Sequence, residues 1–283
     1  MTTFGVVLIA EGATRKEWLG RCRRAESLGF DVIAVPDHLN LLSPFPTAVL
    51  AAEATERPTI GTYVLNASFH RPALLARDVT TTAGLLGDRL ELGLGTGYVR
   101  AEFAAAGLPF DAATRVARLA ELVGALERLP VRPPLLIGGH GDRVLGLAAR
   151  HADTISFTGA PYRPEYGRTA LVTAGALLER VAYARAAAGG RAGAGGRAAR
   201  PRLNVLSKAT VLTGDRRAGV ESLRRYAPDL TTEELLEVPT LHVGTPAQIA
   251  EQIRMDEERF GFSYVTVMDS AMDDFGKVIE RLR

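Results

Sequence analysis

Short apolar runs alternate with longer amphipathic segments from one end of the chain to the other. Several of the amphipathic segments begin with a helix start signal, such as Thr14 or Thr245-Pro246. Strands that alternate with helices predict parallel pairing through right-handed crossovers. The predicted strands lie at 4–10, 31–35, 59–67, 89–95, 134–138, 154–158, 202–212 and 264–268. The predicted helices lie at 14–28, 46–56, 71–87, 111–128, 142–151, 168–188, 245–260 and 273–282.

Eight such units favour a closed (β/α)₈ TIM barrel over an open doubly wound sheet. The first apolar run, at 4–10, is not followed by a G-x-G-x-x-G sequence, which argues against a dinucleotide-binding sheet. The length of 283 residues suits one barrel of ordinary size. We therefore predict an α/β fold in which residues 1–283 form a single TIM-barrel domain.

The segment 186–201, AAAGGRAGAGGRAARP, departs from this pattern because it is rich in glycine, alanine and arginine. Its small side chains bury too little surface to offset the entropy of ordering them, so it is predicted to be a flexible surface loop. A phosphate-binding role for its glycines is the less favoured alternative, because no helix start follows them.

The composition argues against several classes of protein. A net charge of +2 leaves no basic stripe of the kind that nucleic-acid binders carry. Of the 34 basic residues 31 are arginine, which together with the alanine-rich helices is typical of a GC-rich bacterial genome. No apolar run approaches the ~20 residues that span a membrane, and the N-terminus lacks a basic signal-peptide region. We expect a cytoplasmic protein that binds neither nucleic acid nor membranes.

The single cysteine, Cys22, argues against a disulfide framework or a cysteine metal cluster and fits a reducing compartment. It is in helical phase with Trp18, Ala25 and Leu28, which indicates buried packing. A reactive thiol, activated by the neighbouring arginines, is the less favoured interpretation.

In a barrel of this type the chemistry lies on loops at the carboxyl ends of the strands. Asp37 and His38 directly follow the predicted strand 31–35. His38 could transfer a proton near neutral pH while Asp37 holds the ring or contacts a cofactor, although in isolation such a pair is more often a capped turn. Glu102 is either a second acid/base or a carboxylate favoured by the dipole at a helix start.

Two glycine-rich turns follow later strands. Glycine lets a ligand approach the backbone closely, so the first turn is either a ligand contact or a tight turn. The second runs into a helix that starts around Asp142, where free backbone N–H groups suit a phosphate, with an ordinary βα turn as the alternative. The first turn contains Gly95, Thr96 and Gly97, and the second contains Gly138, Gly139, His140 and Gly141.

The remaining histidines are predicted to be structural. His70 precedes a helix start, His151 ends a helix, and His242 lies in a connector. No pair of histidines has the spacing of metal ligands, so no metal is predicted. The chain also lacks a G-x-S-x-G nucleophile elbow and a P-loop, which removes support for acyl transfer and nucleotide hydrolysis.

Five segments of the chain form an ordered set that is specific although each motif alone is weak. They are AESLGFDVIAVPDHL (25–39), RPALLARDVTTTAGLLGDRLELGLGTG (71–97), AGLPFDAATRVARLAELVGALE (106–127), PPLLIGGHGDRVLGLAARHADTISF (133–157) and VGTPAQIAEQIRMDEERFGFSYVTVM (243–268). Taken together, these segments resemble the bacterial luciferase-like superfamily over nearly the whole chain. The likeness is greatest to its oxidoreductases that depend on the deazaflavin coenzyme F420.

The resemblance implies roles for the candidate site residues. Asp37 and His38 would lie beside the deazaflavin ring, with His38 supplying or taking the proton. A bulge with a cis, non-proline peptide would back the ring near Leu65-Asn66. Glu102 matches an acidic position in the family. The cofactor's polar tail and phosphate would be held by Gly95, Thr96, Gly97, Gly138, Gly139, His140 and Gly141.

The activity implied is hydride transfer between reduced F420 and a C=C, C=N or C=O group of a small organic substrate, such as a natural-product intermediate. One alternative is an FMN-dependent monooxygenase on the same scaffold. Another is a barrel without redox activity, acting as a flavin-binding or partner subunit or as a cofactor-free isomerase. We also expect a homodimer.

The chain departs from the family pattern in two places. Many relatives have a long insertion before the fifth barrel strand that helps to cover the site, whereas here ALERLPVRPPLLIGG (125–139) joins helix and strand almost directly. The cover over the site is therefore expected to be short or to come from another segment. Tyr98 stands where many relatives have tryptophan.

Overall fold

The computed structural model of the chain describes residues 1–163, 168–189 and 200–283. Residues 190–199, which make up most of the predicted low-complexity loop, lie outside the described residues. The helices begin close to their predicted starts: Thr14 and Thr245 each cap a helix with a complete capping box. The helices are α1 Arg15–Ser27, α2 Pro44–Ala54, α3 Pro72–Leu86, α4 Arg100–Ala105, α5 Ala112–Leu126, α6 Asp142–His151, α7 Ala174–Ala188, α8 Arg216–Glu221, α9 Thr232–Glu237, α10 Pro246–Phe260 and α11 Met272–Leu282.

The predicted parallel barrel is confirmed. Its strands follow the order β3-β2-β1-β13-β10-β7-β6-β5, and β5 closes the ring by pairing with β3 and β4. The strands are β1 Thr3–Val7, β2 Val32–Val35, β3 Thr59–Thr62, β4 Leu65–Asn66, β5 Leu90–Gly95, β6 Leu135–Gly138, β7 Thr154–Phe157, β8 Tyr162–Arg163, β9 Arg168–Thr169, β10 Arg202–Leu206, β11 Ala209–Leu212, β12 Leu241–Gly244 and β13 Phe262–Met268.

The main hydrophobic core lies between the strands and the surrounding helices. Trp18 and Cys22 of α1 are both buried in it. Burial raises the pKa of the Cys22 thiol to about 12, which agrees with packing and not with a reactive thiolate. Of the helices, α7 begins at Ala174, later than predicted, because Thr173 caps it. The short helices α4, α8 and α9 have six residues each, too few for a helical period to be visible in the sequence.

The predicted strand 59–67 is broken in the middle. β3 ends at Thr62, and Tyr63 and Val64 form a bulge that is joined by a cis peptide bond. The predicted position of this bond, near Leu65-Asn66, is therefore wrong by two residues. Leu65 and Asn66 already pair with β5 as the short strand β4, so the irregular backbone lies before them.

Glycines of β5 make room for the Tyr63–Val64 bulge. A Cβ atom at Gly93 would overlap the carbonyl oxygen of Thr62, and one at Gly95 would lie 2.6 Å from Cγ2 of Val64. The three glycines of the LGLGTG sequence occur at every second position because alternate residues of a strand face the same side. The spacing of these glycines is thus explained by the packing of the barrel itself.

The predicted strand 202–212 is also divided. Its first half is β10 of the barrel, and its second half, β11, pairs outside the barrel with β12. These two strands and the helices α8 and α9 enclose a second, smaller hydrophobic core. His242 lies on β12, where it is fully buried and hydrogen-bonded through Nδ1 to Oγ of Ser207. The prediction that His242 lies in a connector is therefore wrong.

This insert connects β10 to α10. It begins at the carboxyl end of β10, where the Lys208 N–H donates to the Thr240 carbonyl at 2.7 Å. Thr240 also lies against Gly159 in the loop after β7, so part of the insert lies beside the carboxyl end of the barrel. The connection between α5 and β6 is short, as predicted.

We expect Gly95→Ala to lower the free energy of unfolding by about 1–3 kcal/mol, the usual cost of overpacking a core, because its methyl group would meet Val64. Val64→Ala removes the opposing methyl group, so the double variant should recover part of the loss. Gly84→Ala is the matched control, since no atom lies within 4 Å of its new methyl group. Urea denaturation measures all four variants. If Gly95→Ala lowers the free energy of unfolding by the same amount with and without Val64→Ala, the methyl group at position 95 does not meet Val64.

His242 makes the folded state sensitive to acid. Burial lowers the pKa of His242 from 6.5 to about 4. Between these values the unfolded chain binds a proton that the folded chain does not, so stability falls as the pH drops through this window and is unaffected above it. We expect His242→Gln to lose less stability than the wild-type protein between pH 6.5 and pH 4, measured by urea denaturation at each pH. Parallel curves for the two proteins would show that His242 does not titrate in this way.

Candidate active site

The pair His38–Glu102 lies at the carboxyl end of the barrel. His38 follows β2, and Glu102 lies in the first turn of α4, after β5. Nδ1 of His38 is 3.0 Å and 3.1 Å from the two carboxylate oxygens of Glu102, and the Leu39 N–H donates to the same carboxylate at 3.0 Å. The structure thus brings together two residues that the sequence suggested separately.

This contact defines the state of the imidazole ring. A carboxylate only accepts hydrogen bonds, so Nδ1 of His38 carries a proton, and Nε2 is the nitrogen left to exchange a proton with a ligand. The side chain of His38 is 28% exposed and that of Glu102 is 13% exposed, so the imidazole is partly open to solvent while its carboxylate partner is more shielded. The ring of Tyr98 packs edge-on against the ring of His38 at 5.8 Å.

Asp37 does not hold His38, and that interpretation of the sequence is wrong. Successive residues of an extended chain point to opposite sides, so the two neighbours reach different partners. Oδ2 of Asp37 accepts the Asn66 N–H at 3.0 Å and is 2.9 Å from Nε2 of His70. A second imidazole–carboxylate pair, Asp37–His70, therefore fixes the backbone just after the Tyr63–Val64 bulge.

His70 was predicted to be structural, and its contact with Asp37 was not predicted from the sequence. It comes shortly after the carboxyl end of the predicted strand 59–67, and that position at the barrel rim is the signal that could have found it. A cavity of about 290 Å³ lies beside the Asp37–His70 pair. It is lined by Leu39, Ser68, Phe69, His70, Arg71, Ala106, Leu108 and Arg118.

The residues predicted behind the cofactor ring occupy different environments. The side chain of Leu65 is buried in the main core and faces away from the barrel mouth. Asn66 is also buried, and its Oδ1 accepts the N–H of Ser68 at 3.1 Å. The residues that form the irregular backbone at the mouth are Tyr63 and Val64, which the sequence analysis did not select.

The first glycine-rich turn is held from outside the barrel. The carbonyl oxygen of Gly97 accepts a hydrogen bond from Arg115 at 2.6 Å, and the guanidinium of Arg115 stacks on Phe110 at 4.4 Å. Gly97 has a φ of 72°, and a Cβ atom there would lie 2.5 Å from the side chain of Asn66. Thr96 is half-buried between the two glycines.

The second glycine-rich turn, which includes His140, joins β6 to α6. A Cβ atom at Gly139 would overlap Val144, so this glycine has a packing role. Gly138 ends β6, and Gly141 caps α6 without a side-chain hydrogen bond and has no atom within 4 Å of a Cβ position. Asp142 in the first helical turn is neutralised by Arg180 at 2.5 Å. The start of α6 therefore has open space and backbone N–H groups that no side chain caps.

Within residues 1–163, 168–189 and 200–283, no three side chains of histidine, cysteine, aspartate or glutamate cluster so that they could hold a metal ion. The helices described there include none that is long and apolar enough to cross a membrane.

The sequence has a known relative whose name states an activity. Over 132 residues the chain is 39% identical to an F420-dependent glucose-6-phosphate dehydrogenase of Intrasporangium calvum. The aligned part is 42% of this chain and 40% of that relative, so the chain covers about two fifths of the relative's length.

Two solved structures cover nearly the whole chain. One is an F420-dependent secondary alcohol dehydrogenase in complex with an F420-acetone adduct, with a TM-score of 0.72, 17% identity and coverage of 100% of this chain and 99% of that chain. The other is the monooxygenase RslO1 from Streptomyces bottropensis, with a TM-score of 0.72, 17% identity and coverage of 99% of both chains. At such identities the likeness establishes a common fold. The family model for luciferase-like monooxygenases matches residues 2–264, and the chain therefore belongs to that family.

Proposed function

We propose that this chain is an oxidoreductase that uses the deazaflavin coenzyme F420. It would transfer hydride between the coenzyme and a C=C, C=N or C=O group of a small organic substrate. The observation that carries the proposal is the His38–Glu102 pair, a proton acceptor with a shielded carboxylate at the catalytic end of the barrel. The names of the Intrasporangium calvum relative and of the secondary alcohol dehydrogenase support F420 as the coenzyme.

The residues present are compatible with a flat ring that carries an anionic tail. The Tyr63–Val64 bulge and the glycines opposite it leave backbone atoms at the barrel mouth. The uncapped start of α6, with open space at Gly141, suits a phosphate group. We propose Gly95, Thr96, Gly97, Gly138, Gly139, His140 and Gly141 as the residues that contact the coenzyme.

When bound, the coenzyme would supply the hydride chemistry, and the protein would supply position and proton transfer. Nε2 of His38 would take the proton from a substrate hydroxyl group whose carbon gives up hydride, or return it in the reverse direction. The carboxylate of Glu102 would stabilise the imidazolium that forms. Asp37 would act on the backbone at Asn66 and not on the transferred proton.

A second candidate is an FMN-dependent monooxygenase, which is favoured by the family description and by the monooxygenase among the similar structures. The name of the secondary alcohol dehydrogenase favours the interconversion of an alcohol and a carbonyl group as the hydride-transfer reaction.

We also propose a cytoplasmic homodimer. Leu74 and Leu85, exposed on one face of α3, support the dimer, and sedimentation velocity would detect it.

Anaerobic titration separates the two cofactors. We expect the protein to change the absorption and fluorescence of F420 on binding and to leave FMN unaffected, because the names of the relatives favour F420 as the coenzyme. Binding of FMN alone, followed by oxygen consumption after reduction, would support the monooxygenase. Failure to bind either cofactor would leave the redox-inactive barrel as the better interpretation.

Replacement of His38 tests its role as the proton acceptor. With F420 bound and either glucose 6-phosphate or 2-propanol as substrate, we expect His38→Asn to lower kcat by about 10²–10⁴-fold, the usual contribution of general base catalysis. Glu102→Gln, which keeps the shape of its side chain but not its charge, should also lower kcat, because the amide does not stabilise the imidazolium.

His151→Asn is the matched control for these variants. His151 also contacts a carboxylate through Nδ1, at 2.9 Å from Glu127, but it lies at the far end of α6. We expect it to retain the wild-type kcat. Full turnover in His38→Asn with F420 bound would show that His38 only lines the site.

A further inference from the structure

The interior of the barrel is polar at mid-height. Ser156 of β7, Asn204 of β10 and Thr266 of β13 are each completely buried. The interior of a TIM barrel is usually filled by layers of valine, isoleucine and leucine, so three polar side chains there need an explanation. Buried polar groups of this kind persist only where their hydrogen bonds are made.

These three side chains and Tyr63 of the bulge form a hydrogen-bonded network that crosses the barrel. The Tyr63 hydroxyl is 2.5 Å from Oγ of Ser156 and 3.2 Å from Oδ1 of Asn204. Ser156 donates to the same oxygen of Asn204 at 2.7 Å. The Asn204 amide donates to Oγ1 of Thr266 at 2.8 Å and to the Tyr264 carbonyl at 3.2 Å.

The network ties the bulge to strands on the opposite side of the barrel. Tyr63 belongs to the irregular backbone between β3 and β4, whereas its partners belong to β7, β10 and β13. Burial raises the pKa of the Tyr63 hydroxyl, so the group stays protonated and donates. The bulge is thus held from below by Tyr63, from the side by Val64 against Gly95, and at its end by Asp37 through Asn66.

We propose that Tyr63, Ser156 and Asn204 are positioning residues, which hold the bulge at a fixed depth in the barrel mouth so that the cofactor ring has a defined surface to lie on. The inference rests on the proposed function, because it assigns the bulge a place against the deazaflavin. Ser156 and Asn204 act through Tyr63 and lie below it, inside the barrel.

If Tyr63 had a purely structural role, its loss should resemble the loss of any other buried tyrosine hydroxyl group. Tyr264 provides the comparison. Tyr264 also buries its ring and hydroxyl in the interior, but its hydroxyl donates to Glu91 at 3.1 Å, at the amino-terminal end of β5. Tyr264→Phe and Tyr63→Phe each remove one buried hydroxyl group and keep the ring. A structural role alone would give the two variants similar behaviour.

The first experiment titrates F420 into the wild-type protein and the variants Tyr63→Phe, Ser156→Ala and Tyr264→Phe. We expect Tyr63→Phe and Ser156→Ala to bind F420 about two- to tenfold more weakly, which corresponds to one lost hydrogen bond, and to change the bound absorption spectrum. Tyr264→Phe should bind as the wild type does. The double variant Tyr63→Phe with Ser156→Ala should be no weaker than the weaker single variant, because both remove the same contact.

The second experiment measures amide hydrogen exchange in the protein without cofactor. Segment 62–68 should exchange faster in Tyr63→Phe and Ser156→Ala and at the wild-type rate in Tyr264→Phe. If Tyr63→Phe binds F420 as tightly as the wild type and segment 62–68 is unchanged, the positioning role is wrong. If the wild-type protein does not bind F420 at all, the proposed function fails instead, and the exchange result still decides whether the network holds the bulge.

Discussion

The close packing of the Tyr63–Val64 bulge against β5 is the constraint on which the barrel mouth depends. The carbonyl oxygen of Thr62 and the side chain of Val64 occupy the space that side chains at Gly93 and Gly95 would need. β5 can therefore close the barrel against β3 and β4 only without side chains at these positions. The LGLGTG sequence is explained first by this packing, and a ligand contact at Gly95 or Gly97 would use backbone that the packing already leaves bare.

The end of β2 shows how one short turn serves two purposes. Asp37 and His38 are neighbours in sequence, but strand geometry sends them to different partners, His70 and Glu102. Asp37 stabilises the backbone at Asn66, whereas the proposed mechanism uses Nε2 of His38 for proton transfer. A turn that fixes this backbone and also carries the proposed proton acceptor would keep the two close together, which would suit hydride and proton transfer within one bound substrate.

Much of the fold could be predicted from the sequence because a parallel barrel depends on local patterns: apolar runs, helix caps and the loops that follow each strand. The division of two predicted strands was missed. In the run 202–212 the polar pair Ser207-Lys208 lies at the division, and β11 then pairs with the distant strand β12. In the run 59–67 the second part pairs with β5, which lies far along the chain. The partner of Asp37 was not predicted either, because its contact with His70 joins residues that are far apart along the chain. In the sequence His70 is only a lone histidine.

The barrel interior, by contrast, left a signal in the sequence. Both faces of a parallel barrel strand are buried, so a polar residue in the middle of such a strand must find a partner within the barrel. Ser156, Asn204 and Thr266 are polar residues with apolar neighbours on both sides in the strands TISF, RLNVL and FSYVTVM. Three such interruptions on neighbouring strands predict a buried network at one height. Only its connection to Tyr63 depends on the bulge, and that connection links the interior of the barrel to the floor of the proposed active site.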